Sequence, residues 1–165
     1  MPQIIQDPND PNMKQRPDNP AFNKMKSLVG GEWVLVDDEG NPTEQVVLAY
    51  KVVSAGSVIQ ESIFPGQWNE METMWHMDGD DLVATHYCAL GNQPRWKVDA
   101  SGLPKTLKFS FNGGSNMDPA KDMNMHEGTI TFIDDDHIET FRQSYQDGKP
   151  TEVHTVDLKL VRKKK

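Results

Sequence analysis

The sequence predicts an all-β fold, a closed or nearly closed up-and-down antiparallel β-barrel of about ten strands with one short N-terminal helix. Three observations lead there. Apolar residues recur with period two across residues 32–161, short turn-forming segments separate the runs, and 165 residues suffice to bury a core without metals or disulfides.

Residues 1–20 hold Pro2, Pro8, Pro11, Pro17 and Pro20 among asparagines and aspartates, too polar to offset the entropy of ordering, and read as an extended or mobile arm. A single barrel domain follows over 21–165. Within 21–29, Phe22, Met25, Leu28 and Val29 fall at helical spacing, with Asn19 or Asp18 as cap, Pro20 near the first turn and Gly30-Gly31 as the stop. Strands are expected at 32–37, 45–53, 57–64, 70–77, 82–89, 95–99, 106–112, 127–133, 137–146 and 151–161, each rich in Val, Ile, Thr or aromatic residues. Turn chemistry joins them at 38–42, Ala55-Gly56, Pro65-Gly66, 78–80, Ser101-Gly102, Gly113-Gly114, 134–136 and Asp147-Gly148. Links this short connect antiparallel neighbours, because a parallel return needs a long crossover. The exception, 112–125, carries Met117, Met123 and Met125 and is long enough to fold over something.

One face of the strands is a core. Leu107, Phe109 and Phe111 point one way and Lys108 and Ser110 the other; Val46, Leu48, Tyr50 and Val52 share a face, as do Val156, Leu158 and Leu160. Laid flat, such a sheet leaves two exposed edges, and closure removes them. A barrel of this size has room for one small ligand.

Composition narrows the functional classes. With 25 Asp and Glu against 17 Lys and Arg the net charge is -8, which repels phosphate backbones, so nucleic acid is not an expected partner. No apolar run is long enough to span a membrane as a helix, and the first twenty residues contain no secretory core, so the sequence as written reads as cytoplasmic, with a trimmed exported form left open. A homo-oligomer is also left open. One cysteine, Cys88, allows neither an internal disulfide nor a cysteine-rich zinc site, and no metal site is expected. There is no phosphate loop, no His-Glu-x-x-His, no Gly-x-Ser-x-Gly and no EF-hand spacing.

A helix followed by Gly31-Glu32-Trp33 at the opening of the first strand and a meander of strands resembles the calycin group, which includes lipocalins and fatty-acid-binding proteins. The resemblance implies that Trp33 plugs the barrel floor and that a basic residue near the end of the last strand, here Arg162, packs on its face. A second block, residues 75–82 with Thr85-His86-Tyr87-Cys88 and Gly91-Asn92-Gln93-Pro94-Arg95, resembles bacterial lipocalin-like proteins, many of them exported. It implies the barrel and no activity.

The residues expected to carry function are polar ones on inward faces. His154 shares the face of Val156, Leu158 and Leu160, His86 that of Leu82, Ala84 and Cys88, and Glu61 that of Ile59 and Ile63. An inward carboxylate is costly unless paired, so Glu61 implies a partner in His86, His154 or Arg142. Such a group reads either as a buried network that fixes strand register or as the polar end of a ligand pocket, with Tyr50 and Phe109 on the wall. Cys88 and His86 lie too far apart along one strand to pair, and Cys88 reads as a small apolar group.

The reading preferred from sequence is therefore a binding module for an apolar or amphipathic small molecule, without a cofactor and with no catalytic residue assigned. An enzyme would use His86 or His154 as acid or base, oriented by Glu61. A haem-binding barrel would use His154 as axial ligand, an idea implied by the calycin resemblance alone; the segment Val34-Leu35-Val36 lacks the glycines of those members.

Overall fold

The computed structural model describes residues 4–5 and 7–164; part of the expected arm, 1–3 and 6, lies outside them. The helix α1 spans Pro20–Lys26. The strands are β1 (Glu32–Val36), β2 (Pro42–Val53), β3 (Val58–Ile63), β4 (Met71–Asp78), β5 (Asp81–Tyr87), β6 (Gln93–Asp99), β7 (Thr106–Ser115), β8 (Asn124–Asp134), β9 (His137–Gln146) and β10 (Lys149–Lys163). Each strand pairs antiparallel with its sequence neighbours, and β1 pairs with β10 to close the barrel. The ten strands fall where period two and turn chemistry placed them; the main difference is that β7 and β8 run further, so the long loop shrinks to residues 116–123.

The two ends differ. Asn19 caps α1, its side-chain oxygen accepting from the Ala21 and Phe22 amides at 2.9 and 3.2 Å, while its Nδ2 donates to the Asp80 carbonyl in the β4–β5 turn. Ala21, Phe22 and Met25 are buried, so the helix stoppers one end of the barrel with its apolar face. Arg16, just before it, donates to the Ala55 carbonyl in the β2–β3 turn.

Trp33 is fully buried beneath this helix and its Nε1 donates to the Leu28 carbonyl at 3.0 Å. Arg162, directly opposite on β10, lays its guanidinium 4.7 Å from the Trp33 ring centroid and donates to the carbonyls of Ser27, Val29, Gly30 and Asp135. One side chain thus collects the carbonyls where the helix ends. Gly31, at φ +71°, is needed here, since a Cβ would stand 2.8 Å from the Lys163 carbonyl oxygen.

Above this floor, aromatic rings fill one side of the interior. Trp75, Trp96 and Phe109 meet with centroids 4.5–6.0 Å apart. Gly128, beside Phe109 on β8, makes room for them: a Cβ there would lie 2.5 Å from Phe109 Cζ and 2.3 Å from the Phe141 carbonyl oxygen. The opposite end, framed by the β3–β4 and β5–β6 loops, has no α-helix over it among the described residues.

Candidate functional site: a cavity at the uncapped end

A row of polar side chains crosses the middle of the barrel. Tyr50 on β2 is register partner to Glu61 on β3, Glu61 to Thr73 on β4, and Thr73 to His86 on β5. Register partners point to the same side of the sheet, so one row of the wall is polar and inward. All four are buried. The next row toward the helix is apolar, running from Ile59 to Trp75, Ala84 and Trp96.

Arg142 on β9 reaches this row from across the barrel. Its Nη2 donates to Glu61 Oε1 at 2.8 Å, and the Tyr50 hydroxyl donates to Glu61 Oε2 at 2.6 Å. Both carboxylate oxygens are therefore engaged, which is what a fully buried carboxylate needs. Of the three partners sequence allowed for Glu61, the structure selects Arg142.

Burial is the largest influence on the guanidinium and works against its charge, but Glu61 and the neighbouring groups together outweigh it, and Arg142 titrates above its ordinary value. Burial, reinforced by Glu61, drives the Tyr50 phenol well above its usual range. His86 lies apart from the ion pair. Its Nδ1 meets Thr73 Oγ1 at 2.9 Å and its ring stacks on Trp96 at 5.1 Å. Burial, with the Arg142 charge adding to it, lowers its pKa to about 3, so the imidazole is neutral.

Over this row opens a cavity of about 440 Å³. Its wall is largely apolar: Val47, Leu48, Ile63, Met71, Val156 and Leu158, with Phe64, Trp68 and Leu90 at the loops. Arg142, His86, Thr140 and Ser144 supply polar groups within it, and Asn69 and His154 add to them. Trp68 is 94% exposed at the mouth, so a large ring stands in solvent beside the opening. The Cys88 thiol joins the lining, its pKa raised by burial, and no contact joins it to His86 among the described residues.

Of the residues expected to form the site, His86, Arg142 and His154 line the cavity, while Glu61 acts from behind Arg142. Tyr50 and Phe109 do not line it. Tyr50 is bound to Glu61 below, and Phe109 belongs to the aromatic packing.

His154 departs from its expected inward position beside Val156. Thr151 pairs with Ser144 and Val156 with Arg142, so β10 uses five steps where β9 uses two. The three extra residues form a bulge, which breaks the alternation on which the expectation stood. His154 takes φ +59° within it and is exposed at the cavity mouth, away from Glu61 and Arg142. Thr155, whose hydroxyl donates to the Thr151 carbonyl at 2.6 Å, and Ser144, bonded to the Val153 carbonyl, hold the bulge.

Thr73, Thr140 and Ser144 were not singled out from sequence. Thr73 could have been, since it shares the inward face of Trp75 and period two alone places it there. Ser144 acquires its role from the bulge, which leaves no local pattern.

These features define a class: an antiparallel barrel closed at one end by a helix and an Arg-on-Trp floor, with a largely apolar chamber above a buried ion pair. Compared with known proteins, the chain matches no family model, and no curated protein shows significant similarity to it. Among the described residues no helix is long and apolar enough to cross a membrane, and no group of three or more His, Cys, Asp or Glu is placed to hold a metal ion.

Proposed function

We propose that the barrel is a binding module for an apolar or amphipathic small molecule, seated in the chamber with its apolar body against Val47, Met71 and Leu158 and its polar end toward Arg142 and His86. The observation that carries this reading is an apolar cavity with a charged, buried guanidinium on its lining, the usual composition of a ligand pocket. A register-fixing network alone needs no chamber above it. The helix-capped barrel and the Arg162 contact with Trp33 support a calycin-like relationship, in which fold leaves function open.

The acid–base reading has less support: an imidazole whose pKa is about 3 does not exchange protons readily at neutral pH. The haem reading also has less, because His154 stands exposed at the mouth and would hold an iron at the solvent edge. Native mass spectrometry of protein purified without denaturation tests the proposal. The expected result is an added mass that organic extraction removes; a bare chain mass after purification from several hosts, together with no uptake of apolar probes, would refute it.

A further inference from the structure

Arg142 has more donors than acceptors. Glu61 is the only hydrogen-bond acceptor it meets among the described residues, Nη1 is buried without a partner, and the residue as a whole is 6% exposed. Arg142 lines the chamber, so a ligand acceptor that meets the guanidinium there completes a charge-assisted hydrogen bond that the protein alone leaves unmade. The rings of Trp96 and Phe109 lie 5.7 and 5.8 Å from the guanidinium carbon, offering only a diffuse partner.

The charge of the site is already balanced. Glu61 accepts from Arg142 through one oxygen and from Tyr50 through the other, and those two contacts hold it as the counter-ion. A ligand carboxylate brought to Arg142 would add a second anion beside Glu61 in a desolvated setting, where like charges are poorly tolerated. A neutral oxygen gives up far less hydration and takes the same charge-assisted hydrogen bond.

We infer that the chamber selects amphipathic ligands with a neutral acceptor head, such as a ketone, ester or amide carbonyl, over the corresponding carboxylates, with Arg142 as donor and Glu61 as the built-in anion that excludes the acid. This rests on the binding-module reading and specifies its ligand class.

The test is displacement of the neutral fluorescent probe N-phenyl-1-naphthylamine by 2-dodecanone and by dodecanoate. In the unaltered protein the ketone should displace the probe at least about tenfold more tightly than the acid. Glu61→Gln, which removes the resident anion, should shift that ratio toward dodecanoate. The double variant Glu61→Leu with Arg142→Met, made in a Tyr50→Phe background so that no hydroxyl is left without its acceptor, replaces the pair by apolar groups of similar size, a change that folds tolerate. It should keep probe binding and weaken the ketone about tenfold. Dodecanoate equal to or tighter than the ketone, or ketone affinity unchanged in the double variant, overturns the inference while leaving the chamber a binding site. No binding of the probe to the unaltered protein overturns the binding-module reading, and this inference with it.

Discussion

Arg142 and Glu61 lie 81 residues apart in sequence and meet inside the barrel at 2.8 Å, joining β9 to β3 across the interior. The pair ties together two walls that share no backbone hydrogen bonds. Arg142 also lines the chamber, so the tie between the walls and the lining of the cavity depend on the same side chain.

Breaking that pair from one side should be costly. Glu61→Ala leaves a buried guanidinium without its counter-ion and should destabilise by about 3–5 kcal/mol in urea unfolding. The apolar double replacement, in the Tyr50→Phe background that removes the hydroxyl bonded to Glu61, should recover most of that loss. A single-variant loss below about 1 kcal/mol, the surface-pair range, would mean that water reaches the pair freely.

Acid should weaken the fold through His86. Its folded pKa, about 3, lies below the ordinary value of 6.5, so between those values the unfolded chain binds a proton that the folded chain does not. Stability is therefore full above pH 6.5 and falls as pH drops toward 3, by up to about 1.4 kcal/mol per pH unit. His126, also lowered by burial, adds a smaller change of the same sign. Chemical denaturation from pH 7 to pH 4 should show the slope, and His86→Gln should remove most of it.

The strands were legible because their ends carry turn residues and their faces alternate, as at Leu107, Lys108 and Phe109, two of them buried and one exposed. Inward placement of Glu61 and His86 followed from the same period, and Arg142 entered as one of the partners that an inward carboxylate needs. Two things were not legible. His154 left its face through a bulge fixed by side chains on two strands, Ser144 and Thr155, which no local pattern encodes. Which inward residues line a chamber and which fill the core depends on the Trp75, Trp96 and Phe109 rings crowding one side, a matter of volume.

The floor should respond to loss of Arg162. Arg162→Ala removes the cover from Trp33 and the donors to Ser27, Val29, Gly30 and Asp135, and should cost about 2–4 kcal/mol. Arg162→Lys keeps the charge but cannot span these carbonyls, so it should recover less than half. Thermal unfolding of the two variants checks this.

Gly128 should tolerate no side chain. Gly128→Ala places a Cβ against the Phe109 ring and the Phe141 carbonyl, and should destabilise by about 1–3 kcal/mol. Combining it with Phe109→Leu, which clears the ring but not the carbonyl, should recover part of the loss.

The central claim is that the chamber above Arg142 is a binding site, and titration with N-phenyl-1-naphthylamine, with and without a plug in that chamber, tests it most directly. The protein should bind the probe with micromolar affinity, and Leu158→Trp, on the cavity wall, should weaken binding at least about tenfold while the far-ultraviolet circular dichroism stays that of a β-barrel. Absence of probe binding, or binding that the plug leaves unchanged, would contradict it.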